Sequence, residues 1–420
     1  MKINYMRKLV MFIAVAFAGL LFTGCEKNPV EKDNNMEQSH TLILYFIGYN
    51  NMQSDLYTNI KRVQSAVDNT FPENGKIFAY FNRTDGNILY EVVRPAKSDS
   101  PAELIQRATY DQEISSTSAE RMKQVVEDIK GLAKTETYGF VMGTHGAGWL
   151  PPGFSISHPT GMEYDAGEVE HEIDWEGSMT RHFGPDNMTY GSTEDLVSAL
   201  SGQNIEYIIF DMCFMASVEF LYDLRSITPY IVASPVEIMI AGMPYQKMIP
   251  VLFSKSKGYS TKERLIKISD LFVKAYSSGE IYQQEEYRSA AITVINTSGL
   301  DALATSVKNI FTDGTGTPDV EAVQGLEGLN NHAFFDLRDY IYNISDNSAL
   351  LAAFDNALNG ITLFESHTAH IYSGLGSRGT FNSENICGIS SYIPREQFPK
   401  TRQAYYNTAW GKFTQPGAGF

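Results

Sequence analysis

Four predominantly apolar runs of strand length leave few folds open to this chain: "TLILYFIGY" from Thr41, "YGFVMG" from Tyr138, "IEYIIF" from Ile205 and "YIVASP" from Tyr230. A strand without polar alternation has both faces buried, which is the pattern of a mainly parallel sheet covered by helices. The segments between the runs have helical spacing. Met52 to Val67 is one. Ser118 to Leu132 is another, with Met122, Val125, Val126, Ile129 and Leu132 on one face and Ser118 placed to cap it. Thr193 to Leu200 and "MASVEFLYDLRSI" from Met215 complete the set, while "KIFAYFNRTDG" and "NILYEVVR" form a strand pair turning at Asp85-Gly86. The prediction is an α/β sandwich. In such sheets ligands gather beyond the carboxyl ends of the strands.

With 420 residues, 43% of them hydrophobic and 20% charged, the chain is globular. Lys+Arg 33 against Asp+Glu 49 leaves a formal charge of -16. That field repels nucleic acid and anionic lipid surfaces and attracts cationic partners such as basic peptides.

The N-terminus reads as an address. Lys2, Arg7 and Lys8 precede an apolar run from Leu9 to Phe22 that is short for a membrane span and has the layout of a secretory signal. It ends in "LFTGC", where the small residues before Cys25 resemble the lipobox of bacterial lipoproteins. This assigns residues 1–24 to a signal peptide, Cys25 to lipidation and 25–39 to a polar tether. The expected location is the cell envelope, on the outer membrane or cell surface, through a lipid anchor. Of the three cysteines, Cys213 and Cys387 remain. Cys387, in "NICGISSYIP", reads as a small core residue.

Two motifs fall at the carboxyl ends of predicted strands. "YGFVMG" runs into "THGAGW", placing His145 at a strand tip beside glycines that allow close backbone approach. "IEYIIF" runs into Asp211-Met212-Cys213, placing a thiol just ahead of a predicted helix. A helix N-terminus and a nearby imidazolium both favour thiolate, so Cys213 is expected to be nucleophilic at neutral pH. A Cys/His acyl-transfer site needs this pairing, and the N–H groups of Gly146 and Cys213 are candidates for an oxyanion hole. Taken singly, a His-Gly turn and a buried cysteine are usually structural; two of them at neighbouring strand ends point to a site.

"YGFVMGTHGAGW" and "IEYIIFDMCFMASVEF" resemble the two signature blocks of the clostripain family of cysteine peptidases. Further similarity extends over "TLILYFIGYNNMQSDL" and "YIVASPVE", and more faintly over "FFDLRDY", "ICGISSYIP" and "YYNTAWGKF". The resemblance implies a caspase-like three-layer sandwich, with a catalytic core over 40–250, a variable activation loop over 146–192, and a C-terminal α+β part over 251–420 that completes the sheet. It implies an endopeptidase cleaving after Arg or Lys, with His145 as general base and Cys213 as nucleophile.

By the same resemblance Asp211 is the acid that receives the basic P1 side chain, with Glu237 as a second wall of that pocket. Family members mature by cutting themselves between the two motifs; the basic residue there is Arg181, in "GSMTRHFG", which predicts cleavage at Arg181-His182. The acidic run from Glu163 to Glu176 offers carboxylates to calcium, which some relatives use, but it lacks the alternating ligand pattern of a calcium loop and reads as a solvated flap. No cofactor is required. His367 and His370 have a spacing that suits a metal, yet no second ligand pair accompanies them, so no metal site is expected. A monomer is expected. The alternative functions are a peptide- or glycan-binding lipoprotein without catalysis, or a transpeptidase or ligase on the same dyad.

Overall fold

The computed structural model describes residues 40–97, 100–150, 182–254, 258–314, 316–375 and 379–417. Cys25, the tether, the acidic run and Arg181 lie outside the described residues. The chain enters at β1 (His40–Ile47), crosses through α1 (Gln53–Ser65) to β2 (Gly75–Arg83), and turns into β3 (Gly86–Val93) and β4 (Glu103–Tyr110). Then come α2 (Ala119–Leu132), β5 (Thr137–Gly143), the hairpin β6 (His182–Asp186) and β7 (Thr189–Ser192), α3 (Thr193–Leu200) and β8 (Ile205–Asp211). After α4 (Val218–Asp223) and β9 (Tyr230–Ala233) follow α5 (Tyr245–Leu252), α6 (Thr261–Ser277), β10 (Ala291–Asn296), α7 (Leu300–Asp313), β11 (Phe335–Asp336), α8 (Leu337–Ile344) and α9 (Ser348–Ile361). The remainder is β12 (Thr362–His367), β13 (His370–Ser373), β14 (Gly379–Asn382), β15 (Ser390–Ser391), α10 (Pro399–Asn407) and α11 (Ala409–Thr414).

Nine strands form one sheet in the order β12-β10-β9-β8-β5-β1-β2-β3-β4. The middle five, β9 to β2, are parallel, and each edge carries an antiparallel pair. The alternation of side chains along β1 splits the core. Ile43, Tyr45 and Ile47 pack with Met122, Val125 and Ile129 of α2 and with α3 and α7, whereas Leu42, Leu44 and Phe46 pack with Leu56, Ile60 and Val63 of α1 and with α5 and α6. Helix, sheet and helix layers make a three-layer α/β sandwich, in which the C-terminal part contributes β10 and β12 to the sheet. The Ser118 side chain accepts the Arg121 N–H and caps α2.

The helix after Cys213 starts later than its apolar spacing predicts. Expected from Met215, α4 begins at Val218. Phe214 has a left-handed φ of 62° in a turn over residues 213–216, and the amides there pair outward: Phe214 N with Val236 O at 3.0 Å and Ala216 N with Ser234 O at 2.9 Å. Ser217 bridges Ser390. A left-handed residue breaks the helical dihedrals, and the Ala216 carbonyl accepts the Ser390 N–H at 3.0 Å rather than an amide one turn on. "ICGISSYIP" likewise forms only the two-residue β15, which pairs with β11.

Candidate active site

β5 and β8 are parallel neighbours, with Gly143 opposite Asp211. The loops that leave their carboxyl ends carry His145 and Cys213, and both residues line one cavity of about 520 Å³. The two loops touch closely. A Cβ on Gly146 would lie 2.5 Å from the Cys213 carbonyl oxygen, and one on Gly148, whose φ is 54°, would lie 2.6 Å from the Phe214 carbonyl oxygen. Only glycine fits such an approach of backbone to backbone. Phe214 stacks on Phe334 at 4.3 Å and 7°, which supports the strained residue next to the thiol.

Cys213 Sγ accepts the Ile238 N–H at 3.4 Å and faces the Ile238 carbonyl at 3.7 Å. Burial, then the charge of Glu237, and then that of Asp211 push the Cys213 thiol up to about 12. The expectation that a helix N-terminus stands at the thiol is corrected. The helix that was to lower its pKa begins five residues downstream, and the charges of Glu237 and Asp211 act against the thiolate instead. His145 is held on two sides. Its Nε2 lies 2.6 Å from Asn51 Oδ1, and its carbonyl accepts the Gly184 N–H at 3.1 Å.

Asp211 lies at the end of β8, 4% exposed, and faces the same cavity. Its Oδ2 accepts the Tyr245 hydroxyl at 2.7 Å, while Oδ1 is buried with no hydrogen-bond partner. Burial pushes its carboxyl up to about 6, against the pull of Tyr245, the Met243 N–H and the Arg62 charge. A carboxylate buried this deeply is costly to ionise unless donors or a cation offset its lost hydration. Glu237 also lines the cavity, but both its oxygens accept the Gly374 N–H, at 3.2 and 3.0 Å. Burial pushes Glu237 up to about 7, tempered by its bonds to Ser373 and Gly374. Met52, Met239, Ile240, Tyr287 and Tyr372 give the cavity apolar and aromatic walls.

Trp149, next to the histidine motif, is structural. It is 1% exposed, donates to the Ala333 carbonyl at 3.1 Å and packs on Tyr392. Cys387 packs against the core, and both it and Cys213 are free thiols. His367 sits beside Glu365 at 3.8 Å, and no cluster suited to a metal exists among the described residues. Sequence reasoning overlooked Asn51, Tyr245, Tyr287, Tyr372 and Gly374. Asn50-Asn51 was visible only as the polar stop to the first apolar run, and the others carry no local signal.

Chemistry at neighbouring strand ends of a helix-covered parallel sheet, with a thiol and an imidazole opening on one cleft, is that of an α/β cysteine peptidase. The chain belongs to the clostripain family, peptidase C11, whose model matches residues 44–377, and it is a cysteine-type endopeptidase. Among solved structures it is similar to a secreted C11 cysteine protease from Bacteroides thetaiotaomicron, "iotapain", at 28% identity over 90% of this chain and 99% of that one, with a TM-score of 0.73. An inactive zymogen C11 protease from Parabacteroides distasonis shares the fold at 24% identity, with coverage of 89% and 97% and a TM-score of 0.72. So does a secreted C11 protease from Bacteroides thetaiotaomicron in complex with an irreversible peptide inhibitor, at 21% identity, coverage of 90% and 99% and a TM-score of 0.73. No curated protein matches the chain significantly.

Proposed function

We propose that this protein is an exported, lipid-anchored endopeptidase that cleaves peptides after Arg or Lys through a Cys213/His145 dyad. The observation that carries this reading is the shared cavity. It brings together a thiol, an imidazole and a buried carboxylate, one of whose oxygens has no hydrogen-bond partner. A basic P1 side chain would pair with Asp211, and Glu237 would add negative potential to the wall. Cys213 Sγ attacks the scissile carbonyl as its proton passes to His145. The oxyanion that forms faces the N–H groups of Gly146 and Cys213. His145 returns the proton to the leaving amine, then takes one from water, whose hydroxide releases the acyl group from sulfur.

The apolar leader and the lipobox-like "LFTGC" support export and acylation of Cys25. A secreted relative of the same family agrees with an extracellular or envelope location. Processing at Arg181-His182 fits a preference for basic P1 residues, because the peptidase would then cut its own activation loop. Loss of labelled fatty acid in Cys25→Ala, and persistence of the full-length species in Arg181→Ala, are the expected outcomes.

The central test assays tether-free protein, under reducing conditions, on peptides with Arg, Lys, Asn, Asp or Leu at P1. Cleavage confined to Arg and Lys, abolished in Cys213→Ala and His145→Ala, is expected. Equal turnover of the Leu peptide, or undiminished turnover in either variant, overturns the reading.

A further inference from the structure

We infer that Asn51 is a positioning residue of the reaction: its side-chain carbonyl holds the Nε2 edge of His145 and so presents the opposite ring nitrogen, Nδ1, as the base. The inference rests on the reading of His145 as the dyad's base. The contact is short, 2.6 Å from Nε2 to Oδ1. With a carbonyl oxygen facing it, Nε2 carries the proton, and the lone pair of the neutral ring lies on Nδ1. A ring left to choose its tautomer would lose this alignment part of the time.

The turn that carries Asn51 is tied down on every side. Asn50 N donates to Gly48 O at 2.6 Å, and Asn50 Oδ1 accepts the Met52 N–H at 2.9 Å, closing a loop around Asn51. Asn50 Nδ2 donates to Ile47 O at 3.0 Å and to Pro185 O at 2.8 Å. Gly48 N and Tyr49 N bond to Asn82 O and Oδ1, both at 2.9 Å. β6 is held by the same region, through Asn187 N to Tyr49 O at 2.8 Å, and it bonds the His145 carbonyl through Gly184 N at 3.1 Å. The end of β1 and the start of the β6 hairpin therefore clamp both the backbone and the ring of His145. Asn51 itself is exposed at the cavity rim, so its tight seating comes from this turn rather than from burial.

The test compares wild type with Asn51→Ala, Asn51→Asp and His145→Ala in the tether-free protein, on an Arg-P1 peptide. Asn51→Ala is expected to lower kcat by about tenfold to a hundredfold with KM nearly unchanged, the range for a misaligned base. In Asn51→Asp, which keeps the acceptor and adds charge, kcat is expected to recover while the pH-rate limb that reports His145 moves to higher pH. In protein carrying ¹⁵N-histidine, the ring ¹⁵N shifts of neutral His145 should report the Nε2-protonated tautomer in wild type and a mixture of tautomers in Asn51→Ala. Full kcat in Asn51→Ala, or a raised KM with kcat intact, overturns this inference while the dyad stands, provided His145→Ala is inactive. An active His145→Ala overturns the dyad itself.

Discussion

Gly146 and Cys213 are in backbone contact across the ends of β5 and β8: a methyl group placed on Gly146 would lie 2.5 Å from the Cys213 carbonyl oxygen and 2.9 Å from Met215 Sδ. The contact sets how far the histidine loop stands from the thiol. Gly146→Ala must push the loops apart, at a cost of about 1–3 kcal/mol for forced overpacking. A shift approaching 1 Å at the reacting groups lowers kcat/KM by roughly a hundredfold. Thermal unfolding and steady-state kinetics check the two effects separately. A variant with native activity would mean that the two loops are not coupled.

Asp211 and Glu237 favour the folded state more at acid than at alkaline pH. Burial raises both carboxyls, to about 6 and about 7, so the folded state holds their protons more tightly than the unfolded chain does. Their contribution is fully present below the unfolded carboxylate range, near pH 4, and is lost as pH rises through 6 and 7. Each shift corresponds to about 3 kcal/mol at most. Asp211→Asn should accordingly be more stable than wild type at pH 8 and no different near pH 4, while losing cleavage after Arg. Urea denaturation at the two pH values measures this; a variant less stable than wild type at pH 8 would contradict the burial argument.

The thiol of the free protein should react slowly. With Cys213 pushed up to about 12, iodoacetamide alkylation is expected to keep climbing with pH beyond 9 rather than to level off near neutrality. An irreversible peptide reagent carrying Arg at P1 should label far faster than its Leu counterpart, because the guanidinium offsets the carboxylates that suppress the thiolate. A plateau in iodoacetamide labelling below pH 7 would count against this.

Glu237→Gln separates charge from shape. The amide oxygen of Gln can still accept the Gly374 N–H, now donated to the carboxylate at 3.0 Å, so the segment that carries Tyr372 into the cavity wall should keep its place. Removing the charge lowers the Cys213 pKa, since Glu237 is its largest electrostatic burden after burial. Faster iodoacetamide labelling than in wild type is the expected outcome. Unchanged labelling, with unchanged thermal stability, would show that the carboxylate does not act on the sulfur.

The frame of this molecule was legible because hydrophobic patterning is local. Runs such as "TLILYFIGY" and "IEYIIF" are buried on both faces and become the parallel centre of the sheet, and the 3.6-residue spacing from Ser118 marks α2 together with its cap. That His145 and Cys213 leave neighbouring strands followed from the same pattern. The helix after Cys213 defeated it. Its apolar spacing reads as helical from Met215, but the left-handed Phe214 and hydrogen bonds to residues 234, 236 and 390 hold the chain in a non-helical turn as far as Ser217.

What the chain determined by itself is therefore the order of its elements, the layers they form and the strand ends at which its thiol and imidazole emerge. Tertiary structure alone decided the state of those groups. It brought Asn51 to the imidazole, Tyr245 to Asp211, Gly374 to Glu237 and the charges of Glu237 and Asp211 near the thiol. Apolar periodicity is felt within a few residues, whereas desolvation and charge depend on partners that meet only after distant segments have packed.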